Sequence, residues 1–162
     1  MAAERFKVVI GRDNLVFCAG HFISFHGHKC ETLHGHNYRA AVEVEGPLTA
    51  DFYVYDFVAL KNRAKAITDA LDHRMLLATA NPVIAVAEEG ERVRVTYRDR
   101  EWVFPKGDCV LLPIENTTAE LLARHIAGRL LGDLKDEGFV PDVLRVEIEE
   151  NVGQSARYEW KK

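Results

Sequence analysis

Five of the seven histidines, His21, His26, His28, His34 and His36, fall within sixteen residues, and imidazole is the commonest side-chain ligand for metals. His34 and His36 are separated only by Gly35, so at the start of a β-strand both rings leave the same face and form half a metal site. Gly35 removes side-chain bulk between them. His21, at the end of a neighbouring strand, offers a third neutral nitrogen of the kind zinc accepts. Three histidines with an open fourth position make a catalytic arrangement, whereas structural zinc sites are usually closed by four ligands rich in cysteine. His26-Gly27-His28 repeats the tripeptide eight residues earlier, and spacing alone does not choose between the copies. The second copy runs on into an alternating strand and the first sits in a loop among Ser24, Phe25 and Lys29, which favours His34 and His36.

Cys30 lies four residues before His34. A thiol beside a metal or an imidazolium loses its proton more readily and can act as base or nucleophile. Cys18 and Cys109, set in apolar strands, read as small buried side chains. At Asp72-His73 an acid adjoins a histidine, an arrangement that can fix the ring tautomer and raise its basicity. Thr117-Thr118-Ala119-Glu120 fits a capping box, with Thr117 as the cap and Glu120 at its third position, and a helix start of this kind is also a polar binding surface.

The elements that must carry these groups are legible in the hydrophobic pattern. Phe6, Val8 and Ile10 alternate with other residues, and after Gly11-Arg12-Asp13-Asn14 the odd positions Leu15, Phe17, Ala19 and His21 continue. His36 to Glu45 is a second half-buried strand ending at Gly46-Pro47. Phe57, Leu60, Ala64, Ile67 and Leu71 form a helical stripe between Asp56 and Asp72, with Asp56 as cap. Val83 to Val86, Val93 to Tyr97 and Glu101 to Phe104 indicate an inserted hairpin within residues 82–110. Thr118 to Leu134 is a second amphipathic helix, and Val143 to Glu150 with Ser155 to Trp160 are closing strands. The expected fold is α+β: an antiparallel four-stranded sheet with two helices on one face, plus the inserted β-hairpin, in one domain spanning residues 1–162. Its open edges favour pairing between subunits.

Composition narrows the function classes. With 21 Lys and Arg against 25 Asp and Glu, the formal charge of −4 is the opposite of a nucleic-acid footprint. No apolar run approaches the length of a membrane span, and the start lacks a basic region followed by an apolar stretch, so no membrane partner and a cytoplasmic location are expected. Three cysteines without paired spacing do not make a disulfide framework.

Taken together, His21, Cys30-Glu31-Thr32-Leu33-His34-Gly35-His36-Asn37-Tyr38, Tyr55-Asp56-Phe57, Leu71-Asp72-His73, Thr118-Ala119-Glu120 and Val146-Glu147-Ile148-Glu149-Glu150 resemble the 6-pyruvoyltetrahydropterin synthase family, including its 6-carboxytetrahydropterin synthase branch. The resemblance runs from about residue 5 to 160 and is interrupted by the insert. It implies the tunnelling fold, usually a homohexamer with active sites between subunits. It also implies zinc on His21, His34 and His36, a catalytic thiol at Cys30, proton relay by Asp72 and His73, and a pterin pocket with Thr118 and Glu120. A carboxylate anchors the pterin ring in this family, and Glu150 is chosen over Glu149 because it is in phase with Val146 and Ile148.

The reaction so implied starts from dihydroneopterin triphosphate, a small-molecule pterin, and gives 6-carboxytetrahydropterin on the queuosine route or 6-pyruvoyltetrahydropterin, with loss of triphosphate. No nucleotide or redox cofactor is required. Glu31, directly after Cys30, matches members that use a glutamate to cleave the side chain to 6-hydroxymethyldihydropterin for folate synthesis, a step that needs a base for a hydroxyl proton. The competing reading from another class is a non-enzymatic zinc-binding module. Lys29, His26 and His28 are candidates for holding the triphosphate.

Overall fold

The computed structural model describes residues 4–27 and 29–162; His28 lies outside them. In chain order the first strands are β1 (Phe6–Ile10), β2 (Val16–His21), β3 (Ser24–Phe25), β4 (Lys29–Cys30) and β5 (His34–Gly46). Helix α1 (Phe57–Asp69) precedes β6 (Arg74–Ala78), β7 (Ala85–Glu89), β8 (Arg92–Tyr97), β9 (Arg100–Pro105) and β10 (Cys109–Leu112). Helix α2 (Ala119–Asp136), β11 (Val143–Asn151) and β12 (Gln154–Lys161) complete the chain.

β1 and β2 behave as one interrupted strand. β1 pairs antiparallel with the far half of β5, Phe6 opposite Gly46 through Ile10 opposite Val42, and β2 with its near half, Val16 opposite Arg39 through His21 opposite His34. A single 3-10 turn at Arg12–Asn14 separates them. It moves the buried phase from Val8 and Ile10 to Leu15, Phe17, Ala19 and His21, the shift of parity visible in the sequence. β11 pairs antiparallel with the other side of β5, and β12 with β11. These strands make the expected four-stranded antiparallel sheet.

Two further strands extend it. β6 runs parallel to β2 and β10 parallel to β6, so the complete sheet is mixed, with β10 and β12 at its edges. Neither addition is in the sequence reading. Met75, Leu76 and Leu77 are all buried, and a short unbroken apolar run carries no period that marks it as a strand. The insert also differs from expectation. Residues 85–105 form a three-stranded antiparallel meander rather than a hairpin. It lies over the sheet face opposite the helices, because Met75 and Leu77 join its cluster of Phe22, Ile84, Val93, Val95 and Tyr97, whereas Leu76 belongs to the main core.

Both helices lie on the other face. α1 is capped by Asp56, whose side chain accepts from the Ala59 amide at 2.7 Å, and it buries Leu60, Ala64 and Ile67. Phe57, expected in that stripe, is instead 60% exposed. α2 buries Leu122, Ala123, Ile126, Leu130 and Leu134 against Tyr38, Val42, Val44, Leu144 and Val146 of the sheet. No helix among the described residues is long and apolar enough to cross a membrane.

A candidate metal centre and the cleft beside it

The core-facing side chains of β5 are Tyr38, Ala40, Val42 and Val44, and two residues back from Tyr38 along the same face come His36 and His34. On β2 the face that buries Phe17 and Ala19 ends in His21. Because Ala19 opposes His36 and His21 opposes His34, pleating and register bring the three imidazoles together at one end of the core. Their ring centroids are 4.7, 5.2 and 4.8 Å apart, and one ligand nitrogen from each lies within 4.8 Å of the others. Gly35 makes this approach possible. A Cβ there would stand 3.0 Å from the Ala19 carbonyl oxygen, backbone that cannot turn away.

The surroundings fix the tautomers. His21 Nδ1 donates to the Thr117 carbonyl at 3.0 Å and His34 Nδ1 to the Thr32 carbonyl at 2.7 Å, which leaves both Nε2 atoms as lone-pair acceptors, 3.2 Å apart. Two lone pairs at that separation repel unless a cation lies between them. His36 Nε2 is buried with no hydrogen-bond partner among the described residues, and a buried polar atom left unpaired is costly. Burial chiefly, with His34 and His36 adding, lowers the His21 pKa to about 4, so at neutral pH the ring is in the neutral form that binds metal. Three imidazoles without a thiolate suit a zinc ion of the catalytic type. His21, His34 and His36 therefore fit the group the sequence implies.

Two carboxylates flank the triad. Glu31 Oε2 is 3.8 Å from His34 Nε2, and Glu150 Oε1 is 3.5 Å from His36 Nε2. Glu150 also lines a cleft of about 330 Å³ together with Thr118, Glu120, Ile23, Gln154 and Ala156. The three residues expected to hold the pterin thus share one cleft, and Glu150 links it to the triad. Glu149 sits elsewhere. It is on the opposite face of β11, buried, and accepts from Arg12 Nη1 and the Gly153 amide, both at 3.1 Å.

The capping-box reading of Thr117 fails. Thr118 is the N-cap and has no side-chain cap bond. Thr117 is fully buried, and its hydroxyl donates to the Phe22 carbonyl at 3.2 Å, which pins the loop whose carbonyl holds His21. In the first His-Gly-His copy, His26 and Gly27 form a turn after β3, both with positive φ, 51° and 69°.

Cys30 ends β4, half-buried, with its thiol donating to the Glu31 carbonyl at 3.5 Å. Burial raises its pKa above the usual thiol value, against the pull of Arg100 and helped by Glu31. Asp72 and His73 are together but apart from it. The Asp72 carboxylate accepts from the Cys18 amide at 2.7 Å and contacts His73 Nδ1 at 2.9 Å, and that amide chiefly, then His73, hold its pKa below the usual value. His73 is held at φ 55°, its amide on the Cys18 carbonyl at 2.6 Å, a left-handed conformation that is uncommon for a residue other than glycine and frequent at functional sites. Cys18 is exposed on the β2 face opposite His21. Among the described residues, no hydrogen bond or ion pair joins Asp72 or His73 to Cys30 or to the triad.

Thr32 and Tyr38 enter the sequence reading only as part of a motif and Thr117 only as a helix cap, with no role in the site, and Arg100 is absent from it. Tyr38 is buried with its hydroxyl 3.1 Å from His21 Nε2, and burial chiefly, then Glu150 and Glu31, raises its pKa. Its phase with His36 was the available signal. Thr32 and Thr117 act on the rings through backbone carbonyls, which leave no trace in a sequence.

The family model for 6-pyruvoyl tetrahydropterin synthase matches residues 12–161. A Methanocaldococcus jannaschii protein named, provisionally, a 6-carboxy-5,6,7,8-tetrahydropterin synthase is 34% identical over 146 residues, covering 89% of each chain. The 6-carboxy-5,6,7,8-tetrahydropterin synthase of Haemophilus influenzae is 31% identical over 122 residues, 72% of this chain and 78% of that protein. Among solved structures, a Plasmodium vivax 6-pyruvoyltetrahydropterin synthase with a catalytic glutamate replaced by alanine superposes with a TM-score of 0.90. It is 27% identical and covers 99% of this chain and 100% of that one.

Proposed function

The chain belongs to the 6-pyruvoyl tetrahydropterin synthase family, and on that premise we propose that it is a zinc-dependent lyase making 6-carboxy-5,6,7,8-tetrahydropterin from 7,8-dihydroneopterin triphosphate. The observation that carries this reading is the junction at Glu150. One carboxylate lines the cleft with Thr118 and Glu120 and also stands 3.5 Å from a ring of the triad, so a pterin ring held there would have its side chain at the metal position. Glu150 receives two N–H donors from the pterin edge, the paired charge-assisted geometry that fixes a planar ring.

His21, His34 and His36 would hold the zinc, which when bound polarises the side-chain hydroxyls and makes the adjoining C–H more acidic. Cys30 removes that proton and returns it to the neighbouring carbon, triphosphate leaves the terminal carbon, and one water then adds to the side-chain carbon next to the ring as its bond to the outer two carbons breaks, so that the ring keeps a carboxylate and acetaldehyde departs. A thiol with a raised pKa needs help to do so. Asp72 and His73 provide it from a second copy of the chain, since in one chain they bond to the β2 backbone at Cys18, about 10 Å along the strand from His21. The open outer edges of β10 and β12 suit such an assembly, a homohexamer in this reading. Exposed Lys29, beside Cys30, is the proposed contact for triphosphate, and the cytoplasm is the proposed compartment.

A second reading rests on Glu31. Its carboxylate is 3.8 Å from His34 Nε2, placed to take a hydroxyl proton, and the Plasmodium vivax neighbour has a glutamate as catalytic residue. In this reading the product is 6-hydroxymethyl-7,8-dihydropterin. The deciding experiment is mass analysis of products formed from dihydroneopterin triphosphate by the zinc-loaded protein. Loss of 6-carboxytetrahydropterin in Cys30→Ala with zinc retained supports the first reading, and a hydroxymethyl product lost only in Glu31→Ala supports the second. No pterin turnover by any form would leave a zinc-binding module.

A further inference from the structure

The insert reaches the loop that carries Cys30 and Glu31. From β9, Arg100 Nη1 donates to the Cys30 carbonyl at 3.0 Å and Nη2 to the Glu31 carbonyl at 3.4 Å. Its guanidinium lies 4.5 Å from the ring centroid of Trp102, and Trp102 stacks on Phe22 at 4.7 Å with the planes 19° apart. Phe22 follows His21, and its carbonyl accepts the Thr117 hydroxyl. One continuous set of contacts therefore runs from the insert to the loop and to the strand end that presents a metal ligand.

From this arrangement we propose that Arg100 is a positioning residue, whose forked guanidinium fixes the Cys30–Glu31 peptide so that thiol and carboxylate both face the substrate. The proposal rests on the pterin-synthase reading above. The peptide between the two residues has its N–H on the Ile23 carbonyl at 2.9 Å and its C=O on Arg100, so both polar groups of the plane are tied and the directions of both flanking Cα–Cβ bonds follow. The Glu31 carbonyl that takes Nη2 is also the acceptor of the Cys30 thiol. A lysine ammonium can reach a carbonyl but lacks the rigid planar fork that holds two of them in one fixed geometry. The insert thereby has a task in this site: it carries the clamp.

The test uses the zinc-loaded full chain with Arg100→Met and Arg100→Lys, reading zinc content, kcat and KM for dihydroneopterin triphosphate, and hydrogen exchange over residues 29–33 without substrate. Zinc content should be unchanged. In Arg100→Met the exchange should rise about tenfold through loss of charge-assisted hydrogen bonds. Its kcat should fall about a hundredfold, as for a misplaced catalytic group, with KM within about threefold. Arg100→Lys, which keeps the stem and the cation over Trp102, should recover little of kcat, and it carries the test if the methionine variant does not fold. Unchanged exchange, or raised exchange with kcat unchanged, overturns the clamp. A parent protein with no pterin turnover sinks the functional reading instead, and the exchange data then decide the clamp alone.

Discussion

Gly35→Ala is expected to weaken zinc binding by about ten- to hundredfold, the scale set by disturbing the shell around metal ligands, while leaving the sheet assembled. The added Cβ would meet the Ala19 carbonyl oxygen at 3.0 Å, about 0.4 Å inside the 3.4 Å at which ordinary contact begins, with the Ala19 carbonyl carbon and the Gly20 Cα both at 3.7 Å. All three are backbone, so relief requires β2 and β5 to separate. They would separate at the Gly20–Gly35 pair, the rung between His21–His34 and Ala19–His36. A displacement of about 0.4 Å exceeds the tolerance of about 0.2 Å on ligand distances, and it moves His21 against His34 and His36 together. Overpacking should also lower stability by about 1–3 kcal/mol, or roughly 2–12 °C in Tm for a chain of this size. The assay is zinc competition against a chelator of known affinity, alongside calorimetry of the metal-free protein. Gly20→Ala is the control, because its Cβ would meet the Met75 Sδ at 3.2 Å, the flexible end of a side chain that can give way. Zinc affinity within about twofold of the parent in Gly35→Ala would refute the reasoning.

Two further outcomes follow from the same geometry. Glu150→Gln should lower kcat/KM for the pterin substrate by roughly ten- to hundredfold, the worth of charge-assisted hydrogen bonds to a ring edge, with zinc content unchanged; loss of zinc along with activity would place Glu150 among the ligands instead. Asp72, held below its usual pKa by the Cys18 amide and by His73, is a carboxylate whose folded value is depressed, so its contribution to stability is present above the unfolded value of about 3.8 and is lost as pH falls through the folded value. Asp72→Asn should therefore have a lower Tm than the parent at neutral pH, and the two melting curves should converge toward pH 3. A gap that persists unchanged at pH 3 would locate the effect in packing rather than ionisation.

The periodic parts of the fold are readable in the sequence for a simple reason. A strand with one face on the core alternates, and a helix with one face on the core repeats every three to four residues, so the strand pair β1 and β2, together with β5, α1, α2, β11 and β12, all leave a local pattern. β6 leaves none, because Met75 and Leu77 are buried beneath the insert while Leu76 is buried beneath the helices. The third strand of the insert meander is likewise a matter of pairing, which local alternation does not state.

For the site, the chain dictated by itself which groups are available: two imidazoles on one strand face, separated by the only residue small enough for that rung, and a thiol and a carboxylate just ahead of them. Which His-Gly-His copy meets His21 depended on the register of β2 with β5, which opposes His21 to His34, whereas His26 lies in a turn after β3. Tertiary structure also supplied the backbone acceptors from Thr32 and Thr117 that orient the rings, the Arg100 clamp that comes from about seventy residues away, and the separation of Asp72 and His73 from Cys30. Residue types and local spacing are properties of a segment, whereas convergence depends on how distant segments pair, and only the folded chain fixes that.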